Sequence, residues 1–393
     1  WSRNRPQDFW QCEPALADGL WEQATQHALP ALGLVETPAD PDDALRLTLG
    51  EGQFGADHWE LSRTRRLYYR LKPLLPRSLT RALRRLLRGR HARGFGLGWP
   101  IEARYTRFTL EALQNALESS GQGSIAFRPL WPGGKRFALV LTHDVEADGG
   151  QQVVRRVADL EESLGFRSSF NFVPEGYRVD RGLVNDLRQR GFEIGVHGLR
   201  HDGRLFESRE KFMRCAERIN ACLRDLGATG FRSPLTHRNP EWMQALEIDY
   251  DLSFFDTDPF EPIPGGTMCI WPFFVGRFVE LPYTLAQDYT LTRVLGECTP
   301  RLWLGKVDFI EEQRGMALVN SHPDYLADRT TWDVYHEFLI AMRNRGGYWP
   351  ALPREVASWW RRRAERAASM SGHGNDRGLA SLRDGHLELE GEA

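Results

Sequence analysis

Two histidines four residues apart, His197 and His201, stand in the segment GVHGLRHDG. On a helical turn this spacing puts both imidazoles on one side, where they can share a cation at about 2.0 to 2.1 Å. Two carboxylates, Asp144 and Glu146, end the apolar run RFALVLTHDVE. Alternation along a strand directs both to one side, while Val145 turns into the packing. Together these residues predict a metal centre with two histidine ligands and a carboxylate.

A cation held in this way, with positions left for water, has two uses in enzymes. One is hydrolysis, in which the metal lowers the pKa of water to roughly 7 and polarises a carbonyl; the other is non-haem iron oxygenation. Hydrolysis also needs a base and an acid, and Asp144 and His322 are available for these roles. In FRSPLTHR, Arg232 can hold a base carboxylate ionised, and the backbone N–H after Pro234 can bind an oxyanion.

These residues fall in a region where strand-like and helix-like patterns alternate. From Arg136, apolar runs such as SSFNFV and FEIGVHG are separated by amphipathic stretches such as RGLVNDLRQRG. About seven such strands predict an α/β fold whose parallel sheet is either closed into a barrel or doubly wound. In both folds the carboxyl ends of the strands form the ligand-binding face. The polar residues at those ends are Asp144 and Glu146, His197 and His201, Arg232, Asp256 and Asp258, and His322.

Five segments in order, THDVE, HGLRH, FRSP, FFDTDPF and LVNSHPDY, resemble the motifs of the polysaccharide deacetylases of carbohydrate esterase family four. The resemblance covers about residues 136–357. It implies a distorted (β/α)7 barrel, one divalent ion (zinc first, otherwise cobalt, manganese, nickel or iron) and removal of an acetyl group from an N-acetylated sugar. The implied roles are base for Asp144, metal ligands for His197 and His201, orientation of the base for Arg232, oxyanion N–H for Leu235 and acid for His322.

The first and fourth motifs depart from the common form. The usual second aspartate of the first motif is Val145 here, and relatives with a D-x-E arrangement imply that Glu146 is the carboxylate ligand. The fourth motif lacks the tryptophan that walls the acetyl pocket. Candidate replacements for that wall are Phe255 and Phe260, and the candidates that support Arg232 are Asp256 and Asp258.

Outside the barrel, predicted for residues 135–368, the composition changes. Residues 1–134 read as a mostly helical, basic extension and residues 369–393 as a polar, mobile tail. Between Arg63 and Arg93 the chain has no acidic residue, and its leucines are spaced to form one helical face. Docking of that face on the barrel is the preferred interpretation. Contact with an anionic membrane surface or an acidic glycan is the alternative.

Composition narrows the class of protein further. A net charge of −2 over 393 residues gives no reason to expect nucleic acid, and no apolar run approaches the length of a membrane span. Five cysteines without C-x-x-C spacing, and no visible signal peptide, favour a reducing, cytoplasmic setting. The expected partner is a carbohydrate, and the expected enzyme a carbohydrate N-deacetylase of bacterial exopolysaccharide or surface glycan. The alternatives are hydrolysis of a non-sugar C–N bond and a catalytically silent glycan-binding barrel.

Overall fold

Strands and helices alternate through most of the chain in the computed structural model, which describes residues 1–61, 94–368 and 377–391. The basic segment Arg63–Arg93, for which the leucine spacing predicts docking, lies outside the described residues. The strands are β1 (Cys12–Glu13), β2 (Ser124–Phe127), β3 (Phe137–Val145), β4 (Ser169–Phe172), β5 (Glu193–His197), β6 (Gly230–Arg232), β7 (Tyr250–Asp251), β8 (Phe273–Val275), β9 (Phe278–Glu280), β10 (Met316–Ser321), β11 (Tyr348–Pro350), β12 (Gly378–Arg383) and β13 (His386–Gly391). The helices are α1 (Pro6–Trp10), α2 (Asp18–Ala28), α3 (Pro41–Thr48), α4 (Arg104–Ser120), α5 (Asp148–Gln151), α6 (Val154–Ser163), α7 (Arg181–Gln189), α8 (Arg209–Leu226), α9 (Arg301–Glu312), α10 (Pro323–Leu326), α11 (Arg329–Asn344) and α12 (Pro353–Ala368).

The main sheet is a row of parallel strands that curls back on itself. Its strand order is β10, β3, β4, β5, β6, β7, β9 and β8, with β11 paired to the beginning of β3. All neighbours in this row are parallel except β8 and β9, which form an antiparallel pair. A parallel bridge between Leu285 and Val319 joins the chain after β9 to β10. Of the two folds that the alternating pattern allows, the sheet is therefore the barrel, in the distorted (β/α) form that the family resemblance implies.

Strand β3 shows why this sheet positions a site. All nine residues of FALVLTHDV are buried, as expected for a parallel strand covered on both faces. Its central part pairs with β10 and its last residues pair with β4, so β3 is the strand between these two. Polar residues at its carboxyl end are consequently fixed from both sides.

Helix ends define where the loops of the barrel begin. The Asp180 carboxylate accepts hydrogen bonds from the N–H groups of the first turn of α7, and the Ser208 hydroxyl does the same for α8. Helix α8 ends at Leu226, and the following Gly227, with a φ of 51°, closes its last turn. Because these residues satisfy the backbone groups at the helix ends, other side chains of the loops at the carboxyl ends of the strands are not needed for capping.

The described residues of the N-terminal extension, 1–61 and 94–134, contribute most of a second, smaller core beside the barrel. Helix α4 presents Leu113 and Leu117 to Trp21 of α2, and Ile125 of β2 joins the same cluster. The i, i+4 spacing on α4 builds one apolar face, as the helical prediction for this region requires. This part of the chain is thus a packed layer attached to the barrel.

Residues 377–391 differ from the mobile tail that composition predicts for residues 369–393; the other residues of that range lie outside those that the structure describes. Strand β12 pairs antiparallel with β2 and with β13, so the chain end completes a four-stranded sheet with β1. Asp384 and Gly385 both have positive φ, 52° and 78°, as a two-residue hairpin turn needs. The Asp-Gly pair was the sequence signal for this hairpin. Among the described residues, no helix is long and apolar enough to cross a membrane.

Candidate metal centre and active site

The carboxyl ends of the strands bring the predicted site residues to one rim of the barrel. Asp144 is the second-to-last residue of β3, and Glu146 is the first residue after this strand. His197 ends β5, Arg232 ends β6 and His322 follows β10. Because these strands run parallel in one sheet, their ends share a rim, where catalytic residues of barrel enzymes lie.

Glu146, His197 and His201 form a possible metal centre, with ligand atoms that all lie within 4.8 Å of one another. His201 Nε2 is 3.2 Å from Glu146 Oε1. His197 Nδ1 is 3.1 Å from the backbone carbonyl oxygen of Arg232, which leaves Nε2 for the centre. Two imidazole nitrogens and a carboxylate oxygen are a donor set for zinc and related divalent ions.

The Nε2 atom of His197 shows that these residues fit a cation. The side chain is buried, and Nε2 has no hydrogen-bond partner among the described residues. A buried polar atom left without a partner costs about 1–3 kcal/mol. Burial lowers the pKa of His197 to about 4, so the ring is neutral at pH 7 and Nε2 carries a lone pair. A divalent cation held between these residues would satisfy that lone pair.

A bend, rather than the helical turn predicted from their spacing, brings the two histidines together. The chain leaves β5 as a loop, and the ring centroids of His197 and His201 are 5.3 Å apart. Gly198 has a φ of 63°, and a Cβ there would lie 2.5 Å from the ring carbons of Pro234. The helical turn is therefore wrong, although both rings do face one site. Glycine is needed at position 198 for the bend and for the close approach of the neighbouring loop.

Asp144 is held by three donors. Its carboxylate accepts hydrogen bonds from Asn171 Nδ2 at 3.0 Å, Asn320 Nδ2 at 3.1 Å and Arg232 Nη1 at 3.3 Å. Burial opposes its ionisation, but the charges on Arg232 and His322 outweigh burial, so the pKa of Asp144 lies well below its usual range. This carboxylate is ionised and fixed in direction, which suits a general base.

Glu146 faces the histidines and is supported from the loop after β10. Its Oε1 atom is 3.8 Å from His322 Nε2, and its Oε2 atom accepts a hydrogen bond from the Tyr325 hydroxyl at 3.3 Å. The Glu146 N–H donates to Asp324 Oδ2 at 2.9 Å. Burial opposes ionisation of Glu146, but the charge of His201 outweighs it and keeps the pKa of the carboxyl low. The contacts of Asp324 and Tyr325 with Glu146 were not foreseen in the sequence.

Arg232 is buried beside Asp144, but the two aspartates expected to support it do not contact it. Its Nε donates to the carbonyl oxygen of Leu252 at 2.8 Å, and its Nη1 donates to the Thr142 hydroxyl at 2.9 Å and to Asn320 Oδ1. The prediction for Asp256 and Asp258 is wrong because their carboxylates have other partners. Asp256 lies 2.7 Å from Lys306 Nζ, and Asp258 accepts from the Phe260 N–H at 2.7 Å and the Tyr283 hydroxyl at 3.3 Å.

The turn after β6 presents a backbone N–H group. Leu235 and Thr236 follow Pro234 with φ values of 59° and 53°, the left-handed region that residues other than glycine seldom adopt. The N–H groups of Thr236 and His237 bond back into the turn. Among the described residues the Leu235 N–H has no acceptor, so it is available to a substrate oxygen.

His322 is oriented by Asp288, a residue that no motif singled out. Asp288 Oδ1 is 2.7 Å from His322 Nδ1, and its Oδ2 accepts from the His322 N–H at 2.9 Å. His322 Nε2 then points into the site, 4.0 Å from Asp144 Oδ2. Burial lowers the pKa of His322, but Asp288 and the site carboxylates outweigh it and raise the pKa to about 10. The sequence signal was an isolated acidic residue in the run LPYTLAQDYTLT.

The opposite side of the same strands carries a buried polar network. His143, next to Asp144, has Nε2 2.7 Å from Glu161 Oε1 and Nδ1 2.8 Å from the Ser321 hydroxyl. Ser321 precedes His322, so the network ties β3 to β10 just behind Asp144 and His322. His143 lies within THDVE, but it is fully buried and its two hydrogen bonds join β3 to α6 and β10, so its role is structural.

Phe260 is the better placed of the two candidates for the missing tryptophan. Phe255 is fully buried and packs against Tyr283, with ring centroids 5.1 Å apart. Phe260 is partly exposed and packs edge-to-face against Trp99, with centroids 5.1 Å apart. Trp99 belongs to the N-terminal extension, so an aromatic pair at this rim is built by both parts of the chain.

Comparison with known proteins supports the fold. No protein-family model and no curated protein matches the chain. A crystal structure from Mycobacterium smegmatis, named as a polysaccharide deacetylase, is similar with 20% identity and a TM-score of 0.50, covering 60% of this chain and 93% of that one. A second structure named in this way, from Pseudomonas aeruginosa, has 17% identity and a TM-score of 0.47, covering 60% and 94%. PuuE allantoinase has 16% identity and a TM-score of 0.46, covering 60% and 93%. The resemblance to the polysaccharide deacetylases is thus confirmed at the level of the fold.

Proposed function

We propose that the protein is a metal-dependent hydrolase that removes an N-acetyl group from a carbohydrate, in the making or modification of a bacterial exopolysaccharide or surface glycan. The observation that supports this proposal best is the meeting of Asp144 and His322 at one centre with Glu146, His197 and His201. An amide hydrolase needs a base, an acid and an electrophile at one carbonyl group. This rim offers residues for all three.

Glu146, His197 and His201 would hold the cation, with zinc the first candidate. A cation so held supplies Lewis acidity to the scissile carbonyl and to water. Asp144 takes a proton from the attacking water as the new C–O bond forms at the carbonyl carbon. Arg232 and the two asparagines keep the Asp144 carboxylate ionised and directed. The Leu235 N–H donates to the carbonyl oxygen as negative charge develops on it.

His322 completes the reaction as the general acid. Its Nε2–H gives a proton to the amide nitrogen as the C–N bond breaks, which releases acetate and leaves a free amine on the sugar. Asp288 accepts from the opposite ring nitrogen and so keeps the proton of Nε2 directed into the site.

Acetate release from N-acetylglucosamine oligomers tests the proposal directly. The protein stripped of metal and then loaded with one equivalent of zinc is expected to release acetate and produce free amines, whereas the stripped protein is not. Two results would overturn it. One is turnover of a cyclic amide or ureide with no activity on any acetylated glycan; the other is saccharide binding by a protein that retains no stoichiometric metal.

Asp288→Asn is expected to move the basic limb of the pH profile to lower pH. His322 acts in its protonated form, so activity falls as pH rises through its pKa. The negative charge of Asp288 raises that pKa, and its removal therefore lowers the pH at which activity is lost. We also expect kcat to fall by at least about tenfold, because an amide stabilises the imidazolium and holds its ring orientation less well than a carboxylate does.

The measurement is kcat/KM against pH for the zinc-loaded protein and the variant. Asp328→Asn is the matched control, because Asp328 caps α11 away from His322 and asparagine caps a helix equally well. An unchanged basic limb in Asp288→Asn would show that His322 is not the acid.

A further inference from the structure

Glu51, in the N-terminal extension, reaches into the barrel beside the catalytic rim. It follows α3, and both of its carboxylate oxygens accept hydrogen bonds from Arg238, through Nε and Nη2. Glu51 Oε1 also accepts from the Gly266 N–H at 2.9 Å. The side chains of Glu51 and Arg238 are only 5% and 3% exposed, so this bidentate ion pair is shielded from water.

Arg238 also contacts the turn that presents the Leu235 N–H. Its remaining terminal nitrogen, Nη1, donates to the carbonyl oxygen of Thr236 at 2.9 Å. Its guanidinium also lies over the ring of Phe255, 4.3 Å from the centroid. Arg238 therefore joins the extension to the turn through a planar group whose orientation is fixed on both sides.

The turn needs such support because its backbone is strained. Two consecutive residues other than glycine, Leu235 and Thr236, have left-handed φ values, and such conformations persist only where surrounding contacts determine them. Thr236 has two of these contacts. Its carbonyl oxygen accepts from Arg238, and its hydroxyl donates to Glu261 Oε2 at 2.7 Å.

We propose that Glu51 is a positioning residue for the oxyanion turn, acting through Arg238, and that the N-terminal extension thereby completes the catalytic site. The inference rests on the proposed function, in which the Leu235 N–H stabilises the developing oxyanion. Without the Glu51 carboxylate, Arg238 is left as a buried cation with one carbonyl partner and has reason to reorient. The turn then loses one of the two contacts, with Arg238 and Glu261, that Thr236 adds to the hydrogen bonds within the turn.

Glu51→Gln in the full chain, loaded with zinc, tests this inference. We expect kcat to fall by about tenfold to a hundredfold, less than the roughly 10²- to 10³-fold cost of removing an oxyanion donor, because the Leu235 N–H is displaced and not removed. KM for N-acetylglucosamine oligomers and zinc stoichiometry are expected to be unchanged. Amide hydrogen exchange of the peptide covering residues 235–239 is expected to become faster. Glu51→Asp retains the charge with a shorter reach, and we expect a smaller loss; it also replaces Glu51→Gln if the latter fails to fold.

Asn4→Ala is the matched control. Asn4 also joins the extension to the barrel with two hydrogen bonds, from the Phe274 N–H at 2.7 Å and to the Phe274 carbonyl oxygen at 2.9 Å, but on β8. We expect it to lower thermal stability without changing kcat or the exchange of residues 235–239. A folded Glu51→Gln variant with the kcat and exchange of the unsubstituted protein would overturn the inference. If the zinc-loaded protein releases no acetate at all, the proposed function fails, and the exchange measurement alone still decides whether Glu51 positions the turn.

Discussion

Asp144→Asn is expected to reduce kcat by roughly 10²- to 10⁴-fold, the usual contribution of a positioned general base, while the protein continues to bind one zinc ion. The amide cannot take the proton from the attacking water. Glu146, His197 and His201 retain their ligand atoms, so the cation remains bound. The separation of turnover from metal binding is what distinguishes a base from a ligand at this position.

The same substitution is expected to lower the stability of the barrel. All three groups that contact the Asp144 carboxylate are donors, from Asn171, Asn320 and Arg232. An asparagine places its own NH₂ group against one of them and leaves Arg232 without its counter-ion. Breaking a buried pair of this kind costs about 3–5 kcal/mol, so a thermal melt must accompany the kinetics to show that the variant is folded at the assay temperature.

Acetate release and zinc stoichiometry, measured on the same preparation, check this prediction. Asp148→Asn is the matched control, because Asp148 is an exposed carboxylate in the first turn of α5 that contacts Gln151 and Gln152. It should keep the turnover of the unsubstituted protein. A folded Asp144→Asn variant that keeps full turnover would exclude Asp144 as the base.

The barrel and the main site residues were predictable because their signals are local. Apolar runs of strand length mark β3, β5 and β10, and a polar residue at the end of a parallel strand has few places to point other than the rim. Such a run ends at or next to each of the residues Asp144, His197 and His322. The strand pattern and the position of the polar residues thus both predict the same location for the site, at the carboxyl ends of the strands.

Contacts between distant segments were not predictable in this way. Asp288 and His322 are 34 residues apart, and Glu51 and Arg238 are 187 apart. No periodicity relates such pairs, because each residue is placed by a different strand or loop. Asp256 is a residue that was predicted for the site and does not belong to it. Its position after β7 suggested a site residue, but its carboxylate pairs with Lys306 on α9.

Backbone geometry explains the remaining differences. The four-residue spacing of the histidines has the period of a helix, but Gly198 turns the chain into a bend that reaches the same result. In the C-terminal residues, low hydrophobicity suggested mobility, whereas the Asp384–Gly385 turn pairs two strands that complete the sheet of the extension. In both places one or two turn residues determine the backbone conformation, against the structure that the spacing or the composition of the segment predicts.

Glu146→Gln is expected to weaken zinc binding by at least about a hundredfold, since loss of an outer partner alone costs tenfold to a hundredfold in metal sites. The amide removes the negative charge that faces His201 at 3.2 Å and His322 at 3.8 Å. Turnover should be lost at stoichiometric zinc and recover in part with excess zinc, because Asp144 and His322 are intact. This recovery is not expected for Asp144→Asn.

Zinc titration by calorimetry, followed by acetate release at rising zinc concentrations, measures both effects. Glu207→Gln is the matched control, because Glu207 is a surface residue of the loop after His201 that pairs with Lys211 at 2.7 Å. The departure of the first motif from two adjacent aspartates makes the comparison of the two variants decisive. If Glu146→Gln binds zinc as tightly as the unsubstituted protein while Asp144→Asn does not, Asp144 is the ligand. The base must then be another group on the rim, and Glu146, held by Tyr325 and facing His322, is the carboxylate that the geometry leaves for it.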